Sequence, residues 1–141
     1  AELVLYADGQ RTYESNRRAF HKMMGLQGSG YEAWANYLEQ LMVYFVFTYF
    51  CGAVYDGNIL GKMQTAVVST LLIQELAIAK WCEQGNTLDF HDFVDIAHRV
   101  SREIEHSDVN LIRMEKICEK MPMFSTEELL RVVLSVILLE G

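Results

Sequence analysis

From Leu41 to Tyr55 the chain reads LMVYFVFTYFCGAVY, apolar or aromatic at every position except Thr48 and Gly52. A helix that is apolar on all sides is stable only where other elements cover it. Ser29 followed three residues later by Glu32 has the spacing of a capping box, so the sequence predicts one helix from Gly30 or Tyr31 to Tyr55 with its sides buried. Such a rod is about 37 Å long, and the remaining segments must be arranged around it.

Asp56-Gly57-Asn58 is the turn that follows, with Gly57 in the C′ position and Asn58 capping the next helix, Ile59 to about Glu83. A link this short makes the two helices antiparallel neighbours. The second is again apolar almost throughout, and Gly85 ends it. Upstream, Tyr13, Phe20 and Met24 form a narrow apolar stripe that predicts a helix from Arg11 to Met24, followed by a loop at Gly25, Gly28 and Gly30. Arg17, Arg18, His21 and Lys22 make a small basic cluster, read as a solvated helix face.

Thr87 is placed to cap a third major segment, Leu88 to His106. Phe90, Phe93, Val94, Ala97, Val100, Ser101 and Ile104 fall on one side, with His91, Asp95, His98 and Arg102 on the other. The apolar direction then rotates, which places a break near Ser107 and Asp108 before a segment carried by Leu111, Met114, Ile117 and Cys118. Pro122 closes that segment. Ser125 and Glu128 form a second capping box opening a last helix, whose LLRVVLSVILL is too apolar for a free terminus and belongs in a core or a subunit interface, a homodimer being one such arrangement. The expected fold is all-α: a bundle of five or six helices around a central antiparallel hydrophobic pair, with residues 1–141 as a single domain.

Composition narrows the function. The 141 residues are 51 % hydrophobic with one proline, enough for one packed core. A formal net charge of -7 argues against nucleic acid as a partner. Cys51, Cys82 and Cys118 each sit in an apolar helical setting and read as buried free thiols of a cytoplasmic protein, with no short spacing of a metal site. The two most apolar stretches fall short of about 20 residues and are crowded by Asp56, Lys62, Gln74 and Glu75, so they read as core helices with no membrane role. The N-terminus lacks a signal-peptide pattern and an initiator Met, and reads as an internal position in a longer protein.

Asp95-x-x-His98 and Glu103-x-x-His106 have the carboxylate-x-x-His spacing of bundled di-iron sites. Both pairs lie on one helix, however, and such sites draw theirs from two. Arg99 with Glu103 and Arg102 with His106 are i,i+4 partners on an exposed face, and no metal is expected. The aromatic band Tyr37, Tyr44, Phe45, Phe47, Tyr49, Phe50 and Tyr55 reads as core packing, with Glu75 or Gln74 receiving buried hydroxyls; a ligand cavity among Trp34, Tyr37, Tyr44 and Tyr49 is the alternative. There is no nucleophile elbow and no phosphate-cradling loop.

Two stretches, YFVFTYFCGAVYDGNILGKMQTAVVSTLLIQELAIAKW at 44–81 and DIAHRVSREIEHSDVNL at 95–111, resemble the C-terminal helical part of the bacterial flagellin lysine-N-methylase family. The resemblance covers about half the chain. It implies a parent protein that methylates lysine ε-amino groups of flagellin or another protein substrate, with S-adenosylmethionine as donor and an iron–sulfur cluster in a cysteine-rich N-terminal region. This chain has no clustered cysteines, so no cofactor is expected in it. The resemblance implies a scaffold or substrate-recognition module that meets the remainder of the parent chain and is inactive alone. The alternative is a ligand-binding or dimerisation module without catalysis. Arg102, Glu103, Glu105 and His106 are the candidates for a polar site.

Overall fold

The computed structural model describes residue 9, residues 11–20, residue 22 and residues 29–138, with the side chains of 29–33 and 135–138 aside. Among these the fold is all-α. Residues 11–20 form α1, followed by α2 (Ser29–Asp56), α3 (Ile59–Glu83), α4 (Phe90–Glu105), α5 (Asp108–Lys120), a 3-10 turn (Pro122–Phe124) and α6 (Thr126–Leu138). Met24, Gly25, Gly28 and His21, which the sequence reading used, lie outside the described residues.

The α2–α3 hairpin forms as its turn chemistry dictates. Gly57 has φ +69°, a left-handed conformation that glycine adopts without a Cβ penalty, and Asn58 Oδ1 accepts from the Gly61 N–H at 3.1 Å. Two starts differ from expectation. Ser29 and Gly30 lie inside α2, so Ser29 does not cap it. The cap of α4 is Asp89, not Thr87: Asp89 accepts from the Asp92 N–H at 2.8 Å and Asp92 accepts from the Asp89 N–H at 3.1 Å, closing a reciprocal box. Thr87 instead donates to the Gln84 carbonyl. The break at Ser107 and Asp108 occurs as predicted, with Ser107 accepting from the Asn110 N–H, and Ser125 accepts from the Glu128 N–H at the start of α6.

The larger correction concerns the centre. Helix α3 packs against α2, α4, α5 and α6, whereas α2 is covered along one side only. Phe47 is 75 % and Val54 80 % exposed, and with Val43 and Phe50 they form a stripe at i, i+4, i+7 and i+11 facing solvent. Cys51 is exposed on the same helix. By length and composition Trp34–Asp56 and Ile59–Glu83 are each sufficient to cross a membrane, since the helices outrun the apolar stretches read from sequence. In α3, however, Lys62, Gln64, Thr65, Ser69, Thr70 and Gln74 are buried alongside Ala66, Ile73, Ala77, Ile78 and Trp81, while Leu72 and Leu76 reach solvent. Its interior face is half polar.

One knot of rings joins four helices. Phe20 of α1 meets Trp34 of α2 and Trp81 of α3 edge-on, at centroid distances of 5.3 and 5.5 Å, and Trp34 meets Phe93 of α4 at 5.3 Å. Edge-to-face pairs of this kind add about 0.5–1.5 kcal/mol each beyond area burial. Ile96, Val100 and Ile104 continue this face of α4 into the core; of the predicted apolar side Phe93, Val100 and Ile104 are buried, whereas Phe90 and Val94 reach solvent and Ile96, which was not on it, is buried.

Candidate functional site

Ser101 and Glu105 stand one turn apart on α4 and leave the same face. Ser101 Oγ donates to Glu105 Oε2 at 2.6 Å, and Tyr44 Oη of α2 donates to the same oxygen at 3.0 Å. The other carboxylate oxygen, Oε1, is buried without a hydrogen-bond partner. Among the described residues no cation forms an ion pair with Glu105. A buried oxygen of an acidic side chain left unpaired is costly, and such positions commonly meet a bound group.

Glu105 belongs to the wall of a cavity of about 330 Å³ between α2, α3, α4 and α5. Tyr49 is on the same wall, 2 % exposed; its hydroxyl faces Ser69 but neither oxygen completes a hydrogen bond. Burial pushes the Tyr49 hydroxyl well above its ordinary pKa, so it remains a neutral donor. Lys62 crosses the cavity from α3 and donates to Glu115 Oε1 of α5 at 2.5 Å and to Asp56 Oδ2 at 2.7 Å. The stem passes close over Gly52, where a Cβ would lie 3.1 Å from Lys62 Cε. With Asp56, Glu105, Asp108 and Glu115 on the wall against one lysine, the cavity is negative.

A second opening, a groove of about 360 Å³, lies between α2 and α4 and is lined chiefly by Tyr37, Leu41, Tyr44, Phe45, Phe90 and Phe93. Tyr37 stacks on Phe93 at 5.5 Å. Tyr44 and Ser101 belong to the groove, while the carboxylate they hold belongs to the cavity. The two openings therefore share one hydrogen-bonded partition.

Of the four polar residues singled out from sequence, Glu105 alone turns inward. Arg102 and Glu103 are exposed, with the Arg102 carbonyl accepting from the His106 N–H and the Glu103 carbonyl accepting from Asn110 Nδ2 at 2.9 Å. His106 is exposed at the C-terminal cap of α4. Arg99 pairs with Asp95 at 3.1 Å, one turn before it, in place of the expected Glu103. Glu75 receives the hydroxyl of Tyr13 and the guanidinium of Arg17 in place of the α2 tyrosines, and Gln74 is buried with its Nε2 unpartnered. Trp34 is taken up by the ring knot, and Tyr37 and Tyr44 line the groove.

Sequence reasoning missed Lys62 and Glu115. The signals were present: a lysine inside an apolar helix, a glycine inside an aromatic one, and a glutamate in register with Leu111, Met114 and Cys118.

The sequence profile of the FliB lysine N-methylase C-terminal domain matches residues 2–132. The chain belongs to that family. No curated protein and no solved structure matches it. Every residue of the cavity wall lies within the matched span of this lysine N-methylase C-terminal domain.

The iron–sulfur cluster implied for the parent has no fitted place on these cysteines. Cys51 on α2 is exposed, Cys82 on α3 is half-buried and Cys118 on α5 is buried, and all three are free. Burial pushes the Cys118 thiol up, away from the thiolate a cluster or a nucleophile needs. Among the described residues no three His, Cys, Asp or Glu side chains converge as a metal site. The arrangement around Glu105 holds two hydroxyls, of Ser101 and Tyr44, on one carboxylate oxygen.

Proposed function

We infer that this chain is the protein-binding, non-catalytic part of a lysine N-methylase. Its α2 face docks the remainder of the parent chain, and its α4–α5 side meets the protein substrate, flagellin being the first candidate. The observation that carries this reading is the stripe Val43, Phe47, Phe50 and Val54, an apolar face opposite the side of α2 that packs in the fold. Contiguous exposed apolar surface of this kind marks an interface. Protein suits it better than lipid: the exposed run from Val43 to Tyr55 is about 20 Å long, against about 30 Å of bilayer hydrocarbon, and Glu39 and Asp56 bound it. Three free thiols suit a reducing cytoplasm. The donor S-adenosylmethionine and the cluster then belong to the rest of the parent.

The test mixes this chain with the separately produced remainder of its parent and measures association by sedimentation. A complex that Phe47→Asp with Val54→Asp abolishes, with helicity retained, is the expected result. Methyl transfer to a protein lysine by this chain alone, or a complex indifferent to both substitutions, overturns the reading. Self-association lost in the same double variant would favour a homodimer through α2; the exposed Leu130 and Leu134 of α6 are the alternative dimer surface.

A further inference from the structure

We propose that the solvent-facing side of α2 docks an amphipathic helix from the remainder of the parent chain, about four turns long, apolar on one side and carrying lysine or arginine at both ends. This deepens the docking half of the reading above and rests on it for the identity of the partner.

Val43, Phe47, Phe50 and Val54 form an exposed ridge, and the groove between α2 and α4 adjoins it. Gln40 and Tyr44 line that groove and stand three residues before Val43 and Phe47, on the neighbouring part of the helix surface. A ridge beside a recess is the surface that a row of helical side chains fills. The ridge side chains also offer a partner no hydrogen-bond donor or acceptor. The covering segment must therefore satisfy its own backbone, which a helix does and a lone strand does not.

Charge selects among helices. Helix α2 carries Glu32, Glu39 and Asp56 and no lysine or arginine. Glu39 bounds the ridge at one end, exposed and without an ion pair among the described residues. At the other end the negative pole of the α2 dipole meets Asp56, with Glu105, Asp108 and Glu115 on the nearby cavity wall against Lys62. Cations on the partner answer both ends. A second copy does not, because its α2 brings the same acids and, paired in either direction, sets carboxylates against carboxylates.

Two synthetic helices of about 18 residues test the proposal. Both have leucine at i, i+3, i+4 and i+7 spacing; one has lysine in its first and last turns, the other glutamate. Each is titrated into the 141-residue chain by calorimetry and then set to compete with the separately produced remainder of the parent in sedimentation. The lysine-ended helix should bind one-to-one, about tenfold or more tighter than the glutamate-ended one, lose that margin in high salt, and displace the remainder. Glu39→Gln and Glu39→Lys should weaken it increasingly in that order, the reversal by about fivefold, and Phe47→Asp with Val54→Asp should abolish it. Circular dichroism establishes that each variant is folded; should the aspartate pair not fold, the Glu39 series still decides the matter. Equal binding of the two peptides, binding indifferent to Glu39, or self-association of the chain through α2 overturns the proposal. A remainder that binds through Phe47 and Val54 while neither peptide competes overturns this inference alone. A remainder that does not bind at all overturns the docking reading with it.

Discussion

Lys62 of α3 donates to Glu115 of α5 at 2.5 Å, and both side chains are buried. Among the described residues, the two charges withdrawn from water are held by each other and by Asp56 at the rim. Removing one partner strands the other, which typically costs about 3–5 kcal/mol, whereas replacing both by apolar side chains of similar volume is often neutral. Lys62→Met and Glu115→Gln should each lower the urea midpoint strongly, and Lys62→Met with Glu115→Leu should recover most of the loss. Additive losses in that double variant would show that the pair does not act as a unit.

Lys62, Asp56 and Asp92 set the pH response. Burial pulls the Lys62 ammonium down, but its hydrogen bonds to Asp56 and Glu115 outweigh it and the net shift is upward. A raised base contributes stability that is fully present below its unfolded value, about 10.4, and lost as pH climbs through the folded value. Asp56 is lowered by the Lys62 hydrogen bond and then by the Asn58 N–H, and Asp92 by the Asp89 N–H. Lowered acids contribute stability that is present above about 3.9 and lost as pH falls through their folded values. Thermal melting should therefore be flat from about pH 5 to pH 9 and decline on both sides. Asp56→Asn should flatten part of the acid limb. An unchanged acid limb in that variant would remove Asp56 from the account.

Hairpin, break and element order were legible because they depend on local chemistry: Gly57 for a left-handed turn, Asn58 for a cap, and the rotation of the apolar direction at Ser107. Burial was less legible. Hydrophobicity alone ranked α2 as the centre, yet a helix apolar on all sides does not say which side is covered, and the helices that follow pack on α3. The polar interior of α3 was hidden for a related reason: Thr65 and Thr70 return their hydroxyls to the Gly61 and Ala66 carbonyls and are buried at little cost. Glu105 was singled out within a polar phrase, but only the meeting of α4 with Tyr44 shows that it faces inward while Arg102, Glu103 and His106 do not.

Phe20 is wholly buried between Trp34 and Trp81 and ties α1 to the hairpin. Phe20→Ala leaves a cavity that the flanking indoles cannot close, and large-to-small changes of this kind cost about 3–5 kcal/mol. The expected result is a lower melting temperature with red-shifted tryptophan emission, because both indoles gain access to water. Hydrogen exchange should accelerate first in residues 11–20. Protection of α1 equal to that of the unaltered chain would show that other contacts hold it.

Gly57 and Gly52 separate two reasons for a glycine. A Cβ at Gly57 meets nothing within 4 Å, so the cost of Gly57→Ala lies in its φ of +69°, about 1–2 kcal/mol. Gly52 is helical, and Gly52→Ala gains about 1 kcal/mol of helix propensity against a contact with Lys62 Cε at 3.1 Å that a flexible side chain relieves by moving. Its net effect should be close to neutral. Gly52→Leu projects further and has to push Lys62 off Glu115, an overpacking that typically costs about 1–3 kcal/mol. Urea denaturation of the three variants gives the order Gly52→Ala, then Gly57→Ala and Gly52→Leu as the more damaging pair. Adding Lys62→Ala to Gly52→Leu should relieve the Leu-specific part of the loss, since the stem that the leucine strikes is gone; an undiminished Leu effect would place its cause elsewhere in the α2–α3 contact.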